Sequence, residues 1–531
     1  MSAVSLAEPA IFLIHVERPE LSRWVLWLVE ALEKRPGSEV HVRLVDPAPG
    51  ESSALDTLLS LERMVLRRHA PSGADRLPPS ALAGRPPVPH RLSPDLVIDL
   101  TRQGVPTFPA SCLRPLYNGH PGETALAAAL FFQGTPAIAI ERSGAREEAR
   151  IVAAGTASLE AASGIGGAIE AVGSRVIALI LKSLSPAADA VLRDQKIAAP
   201  FRSIGRADIA RDMAKNVARA AVRTAYQLCC HGSHWRVGYR FVEPGGDVWS
   251  RRDLAGARWS VLADPVDHFY ADPFPLHWQG RDYLFFEDLH HRTEKGIISL
   301  VAFDEAGRPG PVTPVLEEPW HLSYPFLIEH EGELYMIPES SNNFDIPIYR
   351  CTGFPMKWER HAVLVDDVES ADATIIRHGG LYWMTAVVRD GAGGYSDMLA
   401  LWSSENLFGP WQPHPANPVL VDDRTARPAG NMVSRDGNLY RPVQDCRRTY
   451  GAALSFMRVT QLDGDGFTQQ SEGTVTAGGA WPGSRIHTLN YNGRREAIDG
   501  YTLRPRLKPA ADFVDWWYRP PEALGIGPAP G

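Results

Sequence analysis

The sequence has few cysteines, no excess of basic charge and no apolar run of membrane-spanning length. Its five cysteines are spaced irregularly over 531 residues, with no Cys-x-x-Cys pair, which argues against a disulfide framework or a structural zinc site. The formal net charge of -8 argues against a dedicated nucleic-acid-binding protein, which would present a basic face. Because no stretch of about 20 apolar residues stands out, no transmembrane segment is expected.

The first residues also lack the features of a secretion signal. MSAVSLAEPAIFLIHVERPE has no basic start, and its apolar stretch AIFLI is short and is soon followed by charges. This segment predicts a β-strand. We therefore expect a cytoplasmic protein of bacterial type with free thiols, with contact to the inner membrane as an open alternative.

The length favours two domains, because a single core stops growing near about 250–300 residues. Residues 1–201 have an α/β pattern. An apolar run at 10–15, helical spacing over 20–34 and alternation over 39–45 predict a parallel strand–helix–strand unit. The pattern returns in DLVIDL, TALAAALFF, PAIAIER and a helix over 164–184. The predicted fold of this part is an open α/β sheet.

Nucleotide binding is not expected in this part. The glycines of GIGG at 164–167 do not continue into Gly-x-Gly-x-x-Gly, and the chain has no P-loop. No cofactor is therefore predicted.

DLVIDL followed by RPLYNGHPGETALAAALFFQGTPAIAIE resembles the formyltransferase fold. In that family a strand leads to an Asn-x-His-Pro stretch, which Asn118, His120 and Pro121 match in letters. The family also uses a later aspartate, and none follows the strand at 136–142. The resemblance implies a related scaffold and leaves formyl or acyl transfer as one alternative function.

Residues 202–240 are predicted to connect the two domains. Residues 202–232 form a basic amphipathic helix pattern, with Arg206, Arg219 and Arg223 on one face and Ile209 and Val217 on the other. Such a helix either packs its apolar stripe on a neighbouring domain or lies on an anionic bilayer. Both alternatives remain open from the sequence, the second as peripheral membrane contact.

Residues 241–515 contain a fivefold repeat. Strand, glycine turn and strand recur in WQGRDYLFFE, HEGELYMIPE, RHGGLYWMTA, SRDGNLYRPVQD and NYNGRREAIDG. The anchor glycines are 48 to 57 residues apart, which is the size of one four-stranded propeller blade. The repeat predicts an all-β, five-bladed propeller, followed by a Pro/Gly-rich tail at 516–531.

Equivalent positions of the repeat carry polar groups. Asp272, Tyr324 and Asp372 lie eight residues before an anchor glycine, and Glu287, Glu339 and Gln444 lie seven after one. This periodicity predicts a ring of polar side chains around the axis, unless the acids cap turns or pair with arginines at the rim. The further candidates near the ring are Arg427, Arg441, Asp445, His487 and Asp499.

Carboxylates, amides, arginines and aromatic faces together suit hydroxyl-rich ligands. A metal site is not predicted here, because the ring candidates show neither His-x-x-x-His nor Asp-x-Asp spacing. The expected partner is a carbohydrate or glycoconjugate.

The segments YADPFPLHWQGRDYLFFED and WHLSYPFLIEHEGELYMIPES resemble the N-terminal domain of plant glucosamine inositolphosphorylceramide transferases and related bacterial proteins. They are also similar, more distantly, to the five-bladed propellers of family 43 glycoside hydrolases. The second resemblance implies Asp272 as general base, Glu339 as general acid and Asp372 as a third, modulating acid. Tyr324 departs from that pattern, because the hydrolases have an acid there.

Two functions remain open. One is a carbohydrate-active enzyme that uses these three acids, and the other is a non-catalytic glycan- or glycolipid-binding module in cell-envelope polysaccharide assembly. Convergence of the acids in an open pocket would favour catalysis. Neutralisation of the acids by arginines, or closure of the pocket, would favour binding or a structural role.

Overall fold

The computed structural model describes residues 10–46, 54–65, 70–104, 110–144, 147–185, 202–447, 449–478, 481 and 483–518. The chain divides into two compact units. Unit 1 comprises residues 1–219 with 389–397 and 415–423, and unit 2 comprises 220–388, 398–414 and 424–531. Most of the predicted tail at 516–531 lies outside the described residues.

Unit 1 is built on a mixed sheet with strand order β2-β1-β3-β4-β6-β7, and β5 pairs with β4. The first four strands in this order are parallel, β6 is antiparallel to β4, and β7 is antiparallel to β6. The predicted parallel strand–helix–strand unit over 10–45 is confirmed. The strands are β1 (Ile11–Glu17), β2 (Glu39–Val45), β3 (Leu96–Asp99), β4 (Ser111–Tyr117), β5 (His120–Pro121), β6 (Ala137–Gly144) and β7 (Glu147–Thr156).

The described helices of unit 1 include α1 (Arg23–Glu33), α2 (Ala54–Val65), α3 (Glu123–Phe132) and α4 (Gly164–Ser183). Helix α1 buries Val25, Leu28, Val29 and Leu32, which recur at the three- and four-residue spacing of one helical face. The apolar stripe therefore fixes how this helix packs.

The sequence analysis found no apolar stretch of membrane-spanning length, but helix α4 is such a stretch. It is the described helix whose 20 residues and mean hydropathy of 1.6 suffice to cross a membrane by length and composition. However, 72% of its apolar window is buried inside the protein. Arg175 in the middle of α4 is fully buried and pairs with Asp397 of the same unit at 2.8 Å. These observations identify α4 as a core helix.

The glycines at the start of α4 already face a carboxylate. The backbone N–H groups of Ile165 and Gly166 donate to Glu62 at 2.8 and 3.0 Å. A helix N-terminus attracts anions, and here a side chain from α2 supplies the negative charge.

Unit 2 contains five antiparallel sheets, which confirms the predicted five-bladed propeller. It begins with β8 (Trp235–Phe241), the short helix α6 (Val248–Arg251) and β9 (Ser260–Val261). Blades one and two consist of β10 (His268–Trp278), β11 (Arg281–His290), β12 (Lys295–Ala302), β13 (Thr313–Leu316), β14 (Ser323–His330), β15 (Glu333–Glu339), β16 (Asp345–Gly353) and β17 (Lys357–Asp366).

Blade three contains β18 (Ser370–His378), β19 (Leu381–Val388), β20 (Met398–Ser404) and β21 (Gln412–Pro413), and a short strand β22 (Leu420–Val421) lies in the segment 415–423. Blades four and five contain β23 (Val433–Arg435), β24 (Asn438–Asp445), β25 (Ala453–Leu462), β26 (Phe467–Val475), β27 (Leu489–Tyr491) and β28 (Arg495–Tyr501). Helix α7 (Lys508–Tyr518) follows.

The ring closes in blade five, whose strand order is β27-β28-β8-β9. Strand β8 comes from the start of the unit and pairs antiparallel with β28, with Gly238 opposite Ile498. The propeller therefore begins at Trp235, several residues before the boundary at 241 that the repeat predicts. The repeat does not reveal β8 because this strand stands outside the strand–glycine–strand echo.

The predicted connector helix is α5 (Arg206–Cys229). In the predicted apolar stripe of this helix, Ile209 is buried and Met213 is half-buried, whereas Val217, Ala221 and Ala225 are exposed. Most of the predicted stripe therefore faces outward in the described part of the chain.

Candidate functional site

Three blades place a polar residue on a strained bulge of the inner strand. Asp272, Tyr324 and Asp372 have φ values of 50°, 44° and 58°, in the left-handed region that side chains with a Cβ rarely adopt. Each lies where the pairing of the first two strands of its blade shifts register. Such strain, of order 1–3 kcal/mol per residue, concentrates at functional sites.

The first part of the site is a buried chain of Asp272, His487 and Asp499. His487 Nε2 is 3.0 Å from Asp272 Oδ1, and His487 Nδ1 is 3.0 Å from Asp499 Oδ2. Asp499 also accepts hydrogen bonds from the backbone N–H groups of His487, Thr488 and Asp272. Thr488 Oγ1 donates to Asp272 Oδ1 at 2.6 Å. Blades one and five are thus joined by a charged network.

His487 is a cation in this network. Burial would lower its pKa, but the negative charges of Asp499 and Asp272 outweigh burial and raise the pKa to about 10. Burial would likewise raise the pKa of Asp272, and the charge and hydrogen bond of His487 bring it below its usual range. Asp272 is therefore an ionised carboxylate bound to an imidazolium.

The second part of the site joins blades three and four. Arg427 Nε donates to Asp372 Oδ2 at 2.6 Å, and Gln444 Nε2 approaches the same oxygen at 3.3 Å. Burial raises the pKa of Asp372, and the Arg427 guanidinium opposes this rise. Arg427 neutralises one of the three predicted catalytic acids.

Tyr324 links these two parts. Its hydroxyl is 2.9 Å from Thr374 Oγ1 and accepts a hydrogen bond from the Gly430 N–H at 2.8 Å. Its backbone N–H faces Asp272 Oδ2 at 3.3 Å. Tyr324 is fully buried, so its hydroxyl and its backbone N–H are satisfied by protein groups of the neighbouring blades.

Glu287 and Glu339 complete the ring on the second strands. Burial, with the nearby charges of Asp372 and Asp272, raises the pKa of Glu339 to about 8 although Arg427 opposes the rise. Burial and Asp272 raise the pKa of Glu287 well above its usual range. The Glu339 carboxyl therefore holds a proton near neutral pH and can donate a hydrogen bond. Glu339 is half-buried, whereas Glu287 is buried.

Tyr450 is a member of the site that the sequence reasoning missed. Its ring is 4.7 Å from the Arg427 guanidinium and 5.0 Å from the His487 ring, and it is half-buried. Trp235 packs its edge against Tyr450 at 5.7 Å. Tyr450 lies in the loop before β25, outside the strand–glycine–strand repeat, so periodicity gave no signal for it.

Two predicted binding residues have other partners. The Arg441 guanidinium donates to the carbonyls of Thr425 and Ala426 and to Gln469. Burial lowers the pKa of Arg441 to about 9. Asp445 pairs with the exposed Arg447, with Nε 2.9 Å from Oδ1. Arg441 therefore braces the segment before β23, and Asp445 forms an ion pair with an exposed side chain.

Asp272, His487 and Asp499 also have ligand atoms within 4.8 Å of one another, the spacing of a metal site. In this structure the imidazolium of His487 lies between the two carboxylates and supplies the positive charge that they require.

Asp272, Glu339 and Asp372 thus converge, since the charges of Asp272 and Asp372 both act on Glu339. The side chains of Asp272 and Asp372 are only 6% and 3% exposed. Of the conditions set out from the sequence, neutralisation by an arginine is met for Asp372, and His487 neutralises Asp272 in the same way. The catalytic roles of the three acids stay predictions.

Comparison with known proteins agrees with the propeller resemblance. Residues 256–496 match the family described as glucosamine inositolphosphorylceramide transferase 1, N-terminal. A transferase of that name from Oryza sativa subsp. japonica is 33% identical over 234 residues, which cover 42% of this chain and 31% of that protein. Its namesake from Arabidopsis thaliana is 34% identical over 230 residues, covering 41% and 30%. The matched region is thus about a third of the length of these relatives.

Solved glycoside hydrolases are also similar in fold. Zg3597, a family 117 enzyme of Zobellia galactanivorans, covers 56% of this chain and 99% of its own, with 12% identity and a TM-score of 0.34. CoXyl43, a family 43 β-xylosidase/α-arabinofuranosidase from a compost metagenome, covers 45% and 93%, with 14% identity and a TM-score of 0.32. The resemblance of unit 1 to formyltransferases stays a prediction.

Proposed function

We propose that the polar ring around the propeller axis lines a pocket, called the axial pocket below, that binds a glycan or glycoconjugate without hydrolysing it. The observation that carries this proposal is the internal pairing of the acids. Asp272 is bound to His487, and Asp372 is bound to Arg427. Neither carboxylate is free to activate water, and the groups that remain accessible are suited to recognition.

Those accessible groups are Glu339 and Tyr450, which are both half-buried. A protonated Glu339 donates one hydrogen bond and accepts others, as a sugar hydroxyl requires. The Tyr450 ring offers a face on which a sugar ring can stack, with Arg427 behind it. A donor, an acceptor and an aromatic face are the components of a carbohydrate site.

The names of the matched plant proteins suggest the ligand class. They combine glucosamine with inositolphosphorylceramide, a lipid with an inositol phosphate headgroup. We therefore propose a glycolipid headgroup or related cell-envelope glycan as the ligand. The first probe is an array of glucosaminyl, xylosyl and arabinosyl glycans with myo-inositol phosphate, and its strongest binder is called the array ligand below.

We expect binding of the array ligand to be constant below about pH 8 and to weaken as pH rises further, by about tenfold per unit. The reason is that Glu339, whose pKa is raised to about 8, donates a hydrogen bond only while it is protonated. Isothermal titration calorimetry from pH 6 to 10 measures the profile. Glu339→Gln keeps a donor at every pH, so it should retain binding at pH 7 and give a flat profile.

The proposal is contradicted if the wild-type profile is flat through pH 9 while Glu339→Gln abolishes binding at pH 7. That pattern would mean that an ionised Glu339 is required. A failure of every array glycan to bind would remove the glycan proposal itself.

Hydrolysis is the second candidate, and one observation favours it. A protonated Glu339 and an ionised Asp272 are the acid and base states that inverting glycosidases use. If this candidate is correct, aryl-glycosides are cleaved and Asp272→Asn lowers kcat by about 1,000-fold or more. If the binding proposal is correct, wild type releases no more aryl alcohol than Asp272→Asn does.

A cytoplasmic location with peripheral membrane contact is also part of the proposal. The supporting observation is that exposed apolar side chains lie on α5 and near α7, together with basic residues such as Arg223 and Lys508. Arg506 Nε donates to the carbonyls of Gln227 and Cys230, which holds the end of α5 beside the segment before α7. The exposed apolar residues are Val217, Val222, Leu228, Leu503, Leu507, Phe513 and Trp516.

Formyl or acyl transfer by unit 1 stays a prediction.

A further inference from the structure

A second cluster of ligand-type side chains lies at one end of blade one. His268 on β10 and His290 on β11 are direct cross-strand partners, and Asp267 precedes β10. One nitrogen of each histidine and one Asp267 oxygen lie within 4.8 Å of one another. The side chains of Asp267, His268 and His290 are 65%, 29% and 28% exposed, so an ion can reach them from solvent.

His268 is oriented as a metal-ligating histidine commonly is. Its Nδ1 lies 2.6 Å from Asp288 Oδ1, so the proton on Nδ1 is held and the lone pair is at Nε2. Asp288 is itself fixed, because Ser299 Oγ donates to its other oxygen at 2.9 Å. A carboxylate behind a histidine sets the tautomer and strengthens the ligand.

His290 supplies the second nitrogen. Its Nε2 is 3.6 Å from Asp267 Oδ2, and its Nδ1 accepts a hydrogen bond from the Arg292 N–H at 3.1 Å. Coordination through Nε2 needs the other tautomer, with the proton on Nδ1. The Arg292 N–H then donates to water instead of to His290, because Arg292 is exposed to solvent.

The neighbouring histidines do not belong to this cluster. His234 Nδ1 is 3.0 Å from His291 Nε2, and His234 Nε2 is 2.7 Å from Asp264. Both nitrogens of His234 therefore face protein groups, one in a hydrogen bond with His291 and the other in a close contact with the Asp264 carboxylate.

We propose that Asp267, His268 and His290 bind one divalent transition-metal ion of the zinc class. Two imidazoles and one carboxylate match the donors that zinc prefers, whereas calcium and magnesium prefer oxygen donors throughout. Three protein ligands leave a position for water or for an oxygen of a bound molecule. This site is separate from the axial pocket, and its test does not depend on glycan binding.

The position of the ion gives it a role in the propeller. His268 is four residues before Asp272 on β10, and His290 is three residues after Glu287 on β11. An ion bound by both histidines ties together the ends of the two strands that carry these pocket residues. Metal binding should therefore stabilise the folded propeller.

The test is titration of the chelator-treated full chain with Co²⁺ and with Zn²⁺. We expect one tightly bound ion, the visible absorption of four-coordinate Co²⁺, and displacement of Co²⁺ by Zn²⁺. His290→Gln should lower the affinity at least about 100-fold, and Asp288→Asn, which removes the orienting carboxylate, about 10–100-fold. Zn²⁺ should raise the melting temperature of wild type and leave that of His290→Gln unchanged.

His277→Gln is the matched control. His277 lies on the same strand and is also held by an aspartate, with Nδ1 2.6 Å from Asp282 Oδ1, but it belongs to no three-ligand cluster. Its replacement should leave metal affinity unchanged. The proposal is overturned if wild type binds neither ion, or if His290→Gln and Asp267→Asn bind Zn²⁺ as wild type does. Circular dichroism of each variant confirms that loss of binding does not reflect unfolding.

Discussion

Replacement of Asp499 by asparagine should lower the free energy of unfolding of the propeller by about 3–5 kcal/mol, because it breaks a buried, hydrogen-bonded charge network. Asp499 is fully buried, and its two oxygens face the His487 ring and three backbone N–H groups. Asparagine has one acceptor oxygen, so its NH₂ group would point at a donor. The charge of His487 would also lose one of its two partners.

Guanidinium titration followed by tryptophan fluorescence measures this loss. Asp304→Asn is the control, because Asp304 forms an exposed pair with Arg308 on the same turn and its replacement should leave stability nearly unchanged. A loss below about 1 kcal/mol for Asp499→Asn would contradict the assigned network.

The pH dependence follows from the same network. The pKa of His487 is raised to about 10 in the folded protein, above the value of about 6.5 expected when the protein is unfolded. Its contribution to stability is therefore complete below about pH 6.5 and is lost as pH rises toward 10. The destabilisation by Asp499→Asn should shrink over that interval, because the variant has less of this contribution to lose.

The propeller could be predicted because its signal is local and repeated. The anchor glycines Gly280, Gly332, Gly380, Gly437 and Gly493 all have φ between 75° and 91°, as the tight turns between first and second strands require. Each hairpin turn requires a positive φ and therefore favours glycine. Because this glycine recurs at the spacing of one blade, it indicates both the hairpins and their number. Strand β8 could not be found in this way, because its pairing with β28 is a long-range closure of the ring.

The sequence pointed to the polar ring but not to the protonation states within it. The repeat put Asp272 and Asp372 at equivalent positions before the anchor glycines and Glu339 after one. Which carboxyl is ionised depends on His487 and Arg427, which approach from other blades. The left-handed conformation of Tyr324 also has no sequence signal, because tyrosine rarely adopts it. Tyr450 lies in a loop and shows no periodicity at all.

Replacement of Arg427 by alanine should have two separable effects. Arg427 is the partner of the buried Asp372 and also lies over the Tyr450 ring, at 2.6 and 4.7 Å. Its loss leaves a buried carboxylate unpaired, so we expect the free energy of unfolding to fall by about 3–5 kcal/mol at pH 8. The loss should be smaller at pH 5, because Asp372 can then take up a proton.

The second effect concerns the ligand. Arg427→Met combined with Asp372→Asn removes both charges, so most of the stability should return, as it does when a buried ion pair is replaced by neutral groups. Binding of the array ligand should stay at least about 30-fold weaker, because the guanidinium beside Tyr450 is still missing. If the double variant binds as wild type does, Arg427 serves only to neutralise Asp372, and recognition rests on Glu339 and Tyr450. If Arg427→Ala alone is as stable as wild type, the pair with Asp372 is not formed, and the argument against Asp372 as a free catalytic acid no longer holds.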